Sequence, residues 1–299
     1  MKPAHVLETL LLRSVTGALG AMSWRRAIGA GAMLGSTVGA LGLRAKVARE
    51  NLTRAFPEKA PAEREALLAE HYRELGRVAG EYPHMPAIVR SKEGEIVHPV
   101  IGIEHLEAAA AHGRGVILMT GHFGNFELLG AWLTRWNPVD FVVKPLSNPG
   151  ADVLLTDLRT RSGVGSISTH GGVKRVFQAL RQKRWVAMLA DQDARRHGVF
   201  VPYFGIPSST PEGPARIALA SGAPIVFGWV VRQSDGRHQL TIEPPLMPHG
   251  DPRDESAVVA LTAQHTALLE AAVRRAPQAW FWLHRRWKTA PPQAGAGEG

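Results

Sequence analysis

The stretch Val116–Glu127, VILMTGHFGNFE, decides how the chain folds. It opens with four consecutive apolar residues, a pattern typical of a strand that is buried in a parallel sheet. A Thr-Gly-His turn follows, and from about residue 124 to 136 the apolar spacing predicts a helix. A buried strand, a tight turn and a helix form the repeating unit of an α/β domain.

The sequence on either side of this stretch continues the same alternation. Short apolar runs predict further strands at Phe141–Lys144, Trp185–Ala190, Ile225–Val231 and Gln239–Glu243. Amphipathic segments predict helices near residues 104–112, 150–161, 172–183, 212–221 and 255–275. Strands that alternate with helices predict an α/β layer architecture.

Prolines and composition divide the chain into three parts. A helix from Arg44 to Phe56 is stopped by Pro57, a second begins near Pro61, and a proline-containing connector follows at residues 81–100. We therefore expect a helical N-terminal region at 1–95 and an α/β domain at 96–290. Residues 291–299 are mostly Pro, Gly and Ala, which predicts a disordered tail.

The N-terminal fifty residues favour contact with a membrane. They contain seven basic and two acidic residues, and the uncharged run Ala27–Leu43 is 17 residues long, whereas a spanning helix needs about 20. We expect helices that lie in the headgroup region with arginines on the lipid phosphates, the alternatives being a spanning helix or a buried hairpin. The glycines at 29, 31 and 35 are expected to let these helices pack closely.

The overall composition narrows the possible functions. Lys and Arg number 35 against 26 Asp and Glu, giving a net charge of +9, which indicates an anionic partner such as nucleic acid, an acidic cosubstrate or a membrane. The absence of cysteine excludes thiol nucleophiles, disulfides and Cys-ligated zinc. The sequence also contains no phosphate-binding P-loop, no serine-nucleophile elbow and no His-Glu-x-x-His zinc helix.

A histidine with an acid five positions later could supply a general base and the carboxylate that orients it. Chance predicts about one such pair in a chain of this composition, and this one contains four: His122/Glu127, His238/Glu243, His249/Asp254 and His265/Glu270.

Local context favours the first of these pairs. In a strand, residues five apart face opposite sides, and in a helix they lie about 140° apart, which weakens the pairs at 238 and 265. The pair at 249 falls in a loop. His122 alone lies in a strand-to-helix turn, where Glu127 from the first helical turn can reach it, and α/β sheets bind ligands at this strand end.

The same residues, together with several other segments, match a known pattern in order along the chain. The matching blocks are Ala48–Leu52 and Phe56–Glu58, His122–Glu127, Ala190–Asp193, Val199–Gly205, Pro211–Gly213 with Ala223-Pro224, and Ala276–Gln278 followed by Trp282–Lys288. Through these blocks the chain resembles the late, lauroyl-type lipid A biosynthesis acyltransferases, a branch of the lysophospholipid acyltransferase superfamily. The resemblance implies an α/β fold that is glycerolipid acyltransferase-like, with a central mixed sheet flanked by helices.

This resemblance implies transfer of a fatty acyl chain from an acyl thioester to a hydroxyl of a lipid A precursor or similar glycolipid. We expect His122 to remove the hydroxyl proton while Glu127 holds the imidazole, beside a slot for the fatty chain, with direct attack on the thioester. Arg159 and Arg161 resemble a paired-arginine block and are candidate donors to the oxyanion. Lys144 is a candidate anion contact where the family usually has arginine.

Two further groups are expected to orient the acceptor or to have a structural role: Asp191 with Asp193, and Arg285 with Arg286. No metal site is predicted, because the two aspartates lack a third ligand. Residues 271–290 mix arginines with Trp280, Trp282 and Trp287 and no acid. That mixture suits stacking on nucleic acid, an interfacial belt, or a core with an anionic-substrate rim; given the collinear blocks, we expect the last.

The expected partners are acyl carrier protein, a glycolipid acceptor and the membrane surface, without nucleic acid. No cofactor is expected besides the acyl thioester cosubstrate, and the expected location is the cytoplasmic face of the inner membrane. One alternative is an acyltransferase for phosphatidylinositol mannoside or another phospholipid that uses acyl-CoA. A second alternative is a basic, non-catalytic protein that binds membranes or nucleic acid.

Overall fold

The computed structural model describes residues 2–292 as eleven α-helices and nine strands. The helices are α1 (Pro3–Gly20), α2 (Trp24–Ala40), α3 (Ala45–Ala55), α4 (Pro61–Glu81), α5 (Met85–Arg90), α6 (Ile103–Ala111), α7 (Phe126–Leu133), α8 (Pro149–Arg161), α9 (Val173–Arg181), α10 (Gly213–Ser221) and α11 (Glu255–Arg275). The strands are β1 (Val97–Ile101), β2 (Val116–Thr120), β3 (Val139–Val143), β4 (Gly165–Ser168), β5 (Trp185–Leu189), β6 (Gly198–Tyr203), β7 (Ile206–Pro211), β8 (Ile225–Arg232) and β9 (His238–Ile242).

Seven strands form the central sheet in the order β1-β9-β8-β2-β5-β3-β4. All neighbours are parallel except β8 and β9, which form an antiparallel pair, so the sheet is mixed as predicted. β2 lies in the middle of the sheet and pairs with β8 on one side and β5 on the other, so that β5 separates β2 from β3. This order brings the carboxyl ends of β2 and β5 together, although they are 69 residues apart in the chain.

The five strands predicted from apolar runs are all present, with ends within about two residues of those expected. The four that the sequence did not predict contain the residues that disfavour strands. β1 and β4 lie at the two edges of the sheet and contain Pro99 and Gly165, and β6 and β7 form a separate hairpin rich in proline. Edge strands tolerate proline and glycine because one side needs no ladder hydrogen bond.

Each face of the sheet is covered by its own apolar cluster. One cluster joins α3, α4 and α9–α11 to inward-facing residues of β2, β5 and β8. The other joins α5–α8 to the alternate residues of the same strands and to β3 and β9. β2 is buried throughout, so its carboxyl end emerges between the two layers.

The N-terminal helices pack closely through glycine, as expected. A Cβ on Gly31 would lie 2.2 Å from the carbonyl oxygen of Gly76, and one on Gly35 would lie 2.1 Å from that of Tyr72. α2 therefore lies directly against the backbone of α4, which no larger residue would allow. Gly29, the third glycine of the run, has nothing within 4 Å of a Cβ and has no such packing role.

Among residues 2–292, one helix is long and apolar enough to cross a membrane by length and composition. It is α11, and 44% of its most apolar window is buried inside the protein. Its apolar residues belong to the same cluster as the sheet, which is the position of a core helix. Of the tail predicted at 291–299, residues 293–299 lie outside the described residues.

Candidate active site

The turn after β2 places His122 at the carboxyl edge of the sheet. Gly124 has a φ of +54°, and a Cβ there would lie 2.3 Å from the carbonyl oxygen of Val230. The turn is fixed from the other side by residues 279–281: the Gly124 amide donates to Ala279, and the Phe281 amide donates to the carbonyl of His122 at 2.9 Å. These contacts hold the backbone of His122 on both sides.

The carboxylate that holds the His122 side chain is Asp191. Its Oδ1 lies 2.8 Å from His122 Nδ1, and its Oδ2 accepts hydrogen bonds from the His122 amide and from Trp280 Nε1, both at 2.9 Å. Asp191 is buried, whereas the imidazole is 33% exposed. Since Nδ1 faces the carboxylate, Nε2 is the nitrogen left to meet a substrate.

These contacts shift the pKa values of both partners. Burial alone would lower the pKa of His122, but the charge and hydrogen bond of Asp191, with the charge of Glu127, more than offset it and raise that pKa. Burial likewise raises the pKa of Asp191, yet His122 and Trp280 hold it at about 2. Asp191 is therefore ionised at neutral pH and stabilises the imidazolium form of His122.

Glu127, the predicted partner of His122, makes no hydrogen bond to it; its carboxylate is instead bound by Arg159. The Nε atom of Arg159 lies 3.1 and 3.0 Å from the two carboxylate oxygens, and its Nη2 also donates to Oε1. The reason is geometric, because Glu127 leaves the first turn of α7 toward α8 whereas Asp191 arrives from the neighbouring strand. Arg159 is consequently an ion-pair partner of Glu127 and not a free cation.

The remaining predicted residues are dispersed around this centre. Arg161 is exposed and pairs with Asp157 at 2.9 Å. Lys144 is exposed at the end of β3, and Arg285 is also exposed. Arg286 is buried instead, where it donates to the Ser209 carbonyl and to Thr210 Oγ1 at 2.6 Å.

Asp193 lies two residues beyond Asp191 but does not contact His122. Its amide donates to His284 Nε2 at 3.1 Å, and its Oδ2 accepts from Thr289 Oγ1 at 2.9 Å. Trp280, Trp282 and Trp287 are buried, so the aromatic segment is part of the core, as expected.

A second buried carboxylate, that of Glu81 at the end of α4, supports the turn through Asn125. It accepts hydrogen bonds from Arg232 at 2.6 and 2.9 Å, from His238 at 2.7 Å and from Asn125 Nδ2 at 3.0 Å. The other end of the Asn125 amide caps α7 by accepting from the Leu128 amide at 3.0 Å. Glu81 was not predicted as a site residue from the sequence, where its only signal is an acid in an otherwise apolar helix end.

The structure contains a small apolar cavity beside the turn and a larger apolar groove between two helices. The first lies between α7 and the sheet beside Thr120 and Phe126, and encloses only about 20 Å³, room for one water. The second is a groove of about 540 Å³ between α1 and α8, which we call the α1–α8 groove. Leucines of both helices line it, with Tyr82 at one end and Arg13 and Arg161 among its polar residues.

The α1–α8 groove leads toward the Glu127–Arg159 pair. Leu158 lines it directly before Arg159, and the charges of Glu127 and Arg159 both act on the phenol of Tyr82. Burial is the main cause that raises the pKa of Tyr82 well above its usual range. The phenol is therefore neutral at physiological pH. Across residues 2–292, the structure contains no cluster of three or more His, Asp or Glu side chains that could hold a metal ion.

Comparison with known proteins gives consistent matches. Residues 9–289 match the family described as bacterial lipid A biosynthesis acyltransferase. The lipid A biosynthesis palmitoleoyltransferase of Escherichia coli (strain K12) is 30% identical over 266 residues, covering 86% of this chain and 85% of that one. The lauroyltransferase of the same strain is 32% identical over 272 residues, with coverage of 86% and 85%.

A relative with a different acceptor in its name matches a shorter segment. The phosphatidylinositol mannoside acyltransferase of Mycobacterium tuberculosis (strain ATCC 25618 / H37Rv) is 32% identical over 184 residues. That match covers 60% of this chain and 58% of the relative.

Proposed function

The chain belongs to the bacterial lipid A biosynthesis acyltransferase family and is an acyltransferase for lipid substrates, and we propose that it acylates a hydroxyl of a lipid A precursor or similar glycolipid. The proposed donor is an acyl thioester, preferably on acyl carrier protein, and no further cofactor is required. The observation that carries this proposal is the His122–Asp191 pair, held at 2.8 Å with Nε2 of His122 unoccupied by any protein partner among the described residues.

In the proposed reaction, Nε2 of His122 accepts the proton of the acceptor hydroxyl as its oxygen attacks the thioester carbonyl. The tetrahedral intermediate then collapses, the carbon–sulfur bond breaks, and the imidazolium returns the proton to the departing thiolate. Because the chain has no cysteine and no serine elbow, the acyl group passes directly to the acceptor without an acyl-enzyme.

Asp191 supports this cycle in two ways. Its hydrogen bond to Nδ1 selects the tautomer that leaves Nε2 free to accept a proton, and its negative charge stabilises the imidazolium that forms. Since its pKa is about 2, Asp191 remains ionised throughout the pH range in which the enzyme would work.

The Glu127–Arg159 pair is assigned a positioning role beside the base. It ties α7 to α8 next to His122, and the charge of Glu127 adds to the field that favours the imidazolium. The prediction that Arg159 donates to the oxyanion is replaced, since two of its nitrogens are bound to Glu127. Arg161, on the edge of the α1–α8 groove, is better placed to contact an anionic group of the acceptor.

The α1–α8 groove is the proposed site for a fatty chain and the proposed side of membrane contact. α1 is held against α8 by Thr9, which donates to Asn148 at 3.0 Å. On its outer surface, Leu7, Leu10 and Leu11 are exposed, and Val153 of α8 is exposed beside them. An apolar surface of this extent favours insertion into lipid, which supports contact with a membrane. The location that we propose is the cytoplasmic face of the inner membrane.

The proposal is tested with a thiol-release assay on the purified protein. Acyl carrier protein loaded with a fatty acid is mixed with membrane lipids, and mass spectrometry identifies any lipid that gains the acyl mass. The proposal requires thiol to appear only when a glycolipid is present, with one equivalent of acylated glycolipid per thiol. Thiol release that is independent of the acceptor, or none at all, contradicts it.

The second candidate is acylation of a phosphatidylinositol mannoside from acyl-CoA, which the similarity to the mycobacterial enzyme favours. The same assay separates the two candidates, because acyl-CoA and a mannosylated phosphatidylinositol replace the first donor and acceptor. The pair of substrates with the higher kcat/KM identifies the activity.

A further inference from the structure

A group of exposed cations lies beside the His122–Asp191 pair and takes no part in the chemistry described above. We call it the carboxyl-edge basic surface, and it consists of Arg54, Arg195, Arg196, Arg285 and Lys288. Within residues 2–292, none of the five forms an ion pair, whereas exposed arginines of α8 and α11 such as Arg161 and Arg274 do. Exposed cations without partners indicate a surface that is matched to an anionic partner.

Hydrogen bonds place this surface around the segment that supports Asp191. Arg54 donates to the carbonyl of Trp287 at 3.2 Å, which brings α3 against the C-terminal segment. Ser209 links the other side, because its Oγ donates to the carbonyl of Arg195 while its own carbonyl accepts from Arg286. Arg54 and Arg195 therefore lie against the segment that contains Arg285, that continues into Lys288, and whose Trp280 binds Asp191.

The basic surface and the α1–α8 groove lie on opposite faces of the sheet. Tyr203 and Trp287, which underlie the basic surface, belong to the apolar cluster with α3 and α11. Leu155 and Leu158, which line the groove, belong to the cluster on the other face. His122 lies at the carboxyl edge between them, so two substrates can reach it from two sides.

The character of the two surfaces differs as sharply as their location. The groove side exposes large apolar side chains of α1 and α8. Within residues 174–292, by contrast, no large apolar side chain is exposed. Leu41 and Leu43 are exposed before α3, and Arg44 beside them donates to the carbonyl of Leu283 at 2.7 Å. The segments that carry the four cations outside α3, residues 195–196 and 285–288, expose no large apolar side chain. A surface that offers mainly charge suits a soluble acidic protein, whereas a lipid surface would favour apolar residues beside the cations.

We propose that the carboxyl-edge basic surface docks an acidic carrier protein that delivers the acyl thioester to His122 from the face opposite the membrane. This inference rests on the proposed function and adds to it the place where the donor binds. Cations on the rim of an interface act mainly on the association rate and its salt dependence. The surface is therefore expected to set the KM for the carrier-bound donor and to leave the chemical step unchanged.

The test compares two charge reversals in the full-length protein. The double variant R196E/K288E changes the basic surface, and R114E/R181E changes two exposed arginines at the opposite, amino edge of the sheet. Each variant is assayed with the same acyl group on acyl carrier protein and on pantetheine. Acyl-pantetheine is a neutral thioester that lacks the protein. Thermal unfolding checks that both variants are folded.

We expect R196E/K288E to raise the KM for the carrier-bound donor about tenfold or more, to weaken its dependence on salt, and to leave turnover of acyl-pantetheine unchanged. R114E/R181E should leave both donors unchanged. Equal effects of the two variants, or equal loss with the two donors, would overturn the proposal.

Two other partners are tested in the same preparation. If R196E/K288E loses binding to vesicles containing anionic phospholipid while the KM for the carrier-bound donor stays the same, the surface binds the membrane and the proposal is wrong. Loss of binding to a single-stranded oligonucleotide with an unchanged KM rejects it in favour of nucleic acid. Failure of the wild-type protein to acylate any lipid from either donor contradicts the proposed function instead, and is recognised by that wild-type result.

Discussion

Two histidine–carboxylate pairs occur within residues 2–292, and their local chemistry is nearly the same. His122 lies 2.8 Å from Asp191, and His238 lies 2.7 Å from Glu81. Both carboxylates are buried, and each is the centre of several hydrogen bonds. The histidines differ, because the side chain of His122 is 33% exposed and that of His238 only 1%.

The difference shows that a histidine–carboxylate contact alone does not identify a catalytic base. Glu81 is shared with Arg232, whose permanent charge already neutralises it, and the ring of His238 has no route to a substrate. Asp191 has no arginine on its oxygens, and its histidine opens toward the outside of the domain. The His238–Glu81 pair stabilises the packing of α4 on the sheet, whereas the His122–Asp191 pair keeps a proton acceptor available.

The largest effect that would distinguish the pairs is expected from His122→Ala. Removing the base should lower kcat by about 10⁴-fold, since general base catalysis contributes up to about that factor. The free energy of unfolding should change by about 1 kcal/mol or less, because Asp191 keeps its bonds to Trp280 and to the amide of residue 122. Steady-state kinetics and denaturant titration measure the two quantities. His238→Ala should show the reverse pattern, and comparable activity losses in the two variants would remove the distinction.

Asp191→Asn should lower kcat by about 10³-fold, somewhat less than loss of the base, because the imidazole remains but its orientation and charge stabilisation are weakened. The pH profile carries a second signature. Asp191 raises the pKa of His122, so its neutralisation should lower that pKa and move the acidic limb of kcat/KM to lower pH. An unchanged limb would mean that Asp191 does not act on the titrating group.

Glu81→Gln should have a smaller effect on activity and a larger one on stability. The variant leaves Arg232 with Glu74 alone, and breaking a buried pair of this kind costs about 3 kcal/mol. Because Glu81 also holds Asn125, the cap of α7, kcat per folded molecule should fall about tenfold. Asp140→Asn is the matched control.

This control breaks another arginine–carboxylate pair, between Asp140 and Arg184, at the amino end of β5 and far from the turn. It should lower stability and leave kcat unchanged when both are corrected for the folded fraction by thermal unfolding. If the two variants have equal kcat, Glu81 stabilises the fold without positioning the catalytic turn.

The sequence predicts more of the fold than of the site for a physical reason. The apolar residues before His122 predict that this strand is buried, and the glycines of the turn predict its tight geometry. Both features therefore follow from the local sequence pattern. The partner of His122 does not, because it depends on β5 lying beside β2, and the strand order is a property of the whole sheet.

The predicted partner, Glu127, illustrates the limit of spacing. It lies close enough to His122 to influence its pKa, as the spacing suggested. The carboxylate of Glu127 is instead bound by Arg159 of α8, which is 32 residues farther along the chain. No local sequence pattern predicts this pairing. Asp191 did carry a signal, a carboxylate directly after a buried strand, but that signal does not say which neighbouring strand end it meets.

The smallest effect on activity is expected at a third histidine, His265, which is buried in α11 without a carboxylate partner among residues 2–292. Burial lowers its pKa to about 4, and its Nε2 has no hydrogen-bond partner. Since the unfolded chain takes up this proton near the ordinary value of 6.5 and the folded chain only near 4, stability is complete above about pH 6.5 and falls as the pH decreases toward 4. This one group accounts for about 3 kcal/mol at most.

His265→Leu should therefore flatten the acid limb of the unfolding free energy between pH 6.5 and 4, measured by denaturant titration, with kcat unchanged. Part of the limb should remain, because burial also lowers the pKa of His71 to about 4. An acid limb identical to that of the wild type would show that His265 is protonated in the fold, and burial alone would then not separate a core histidine from a catalytic one.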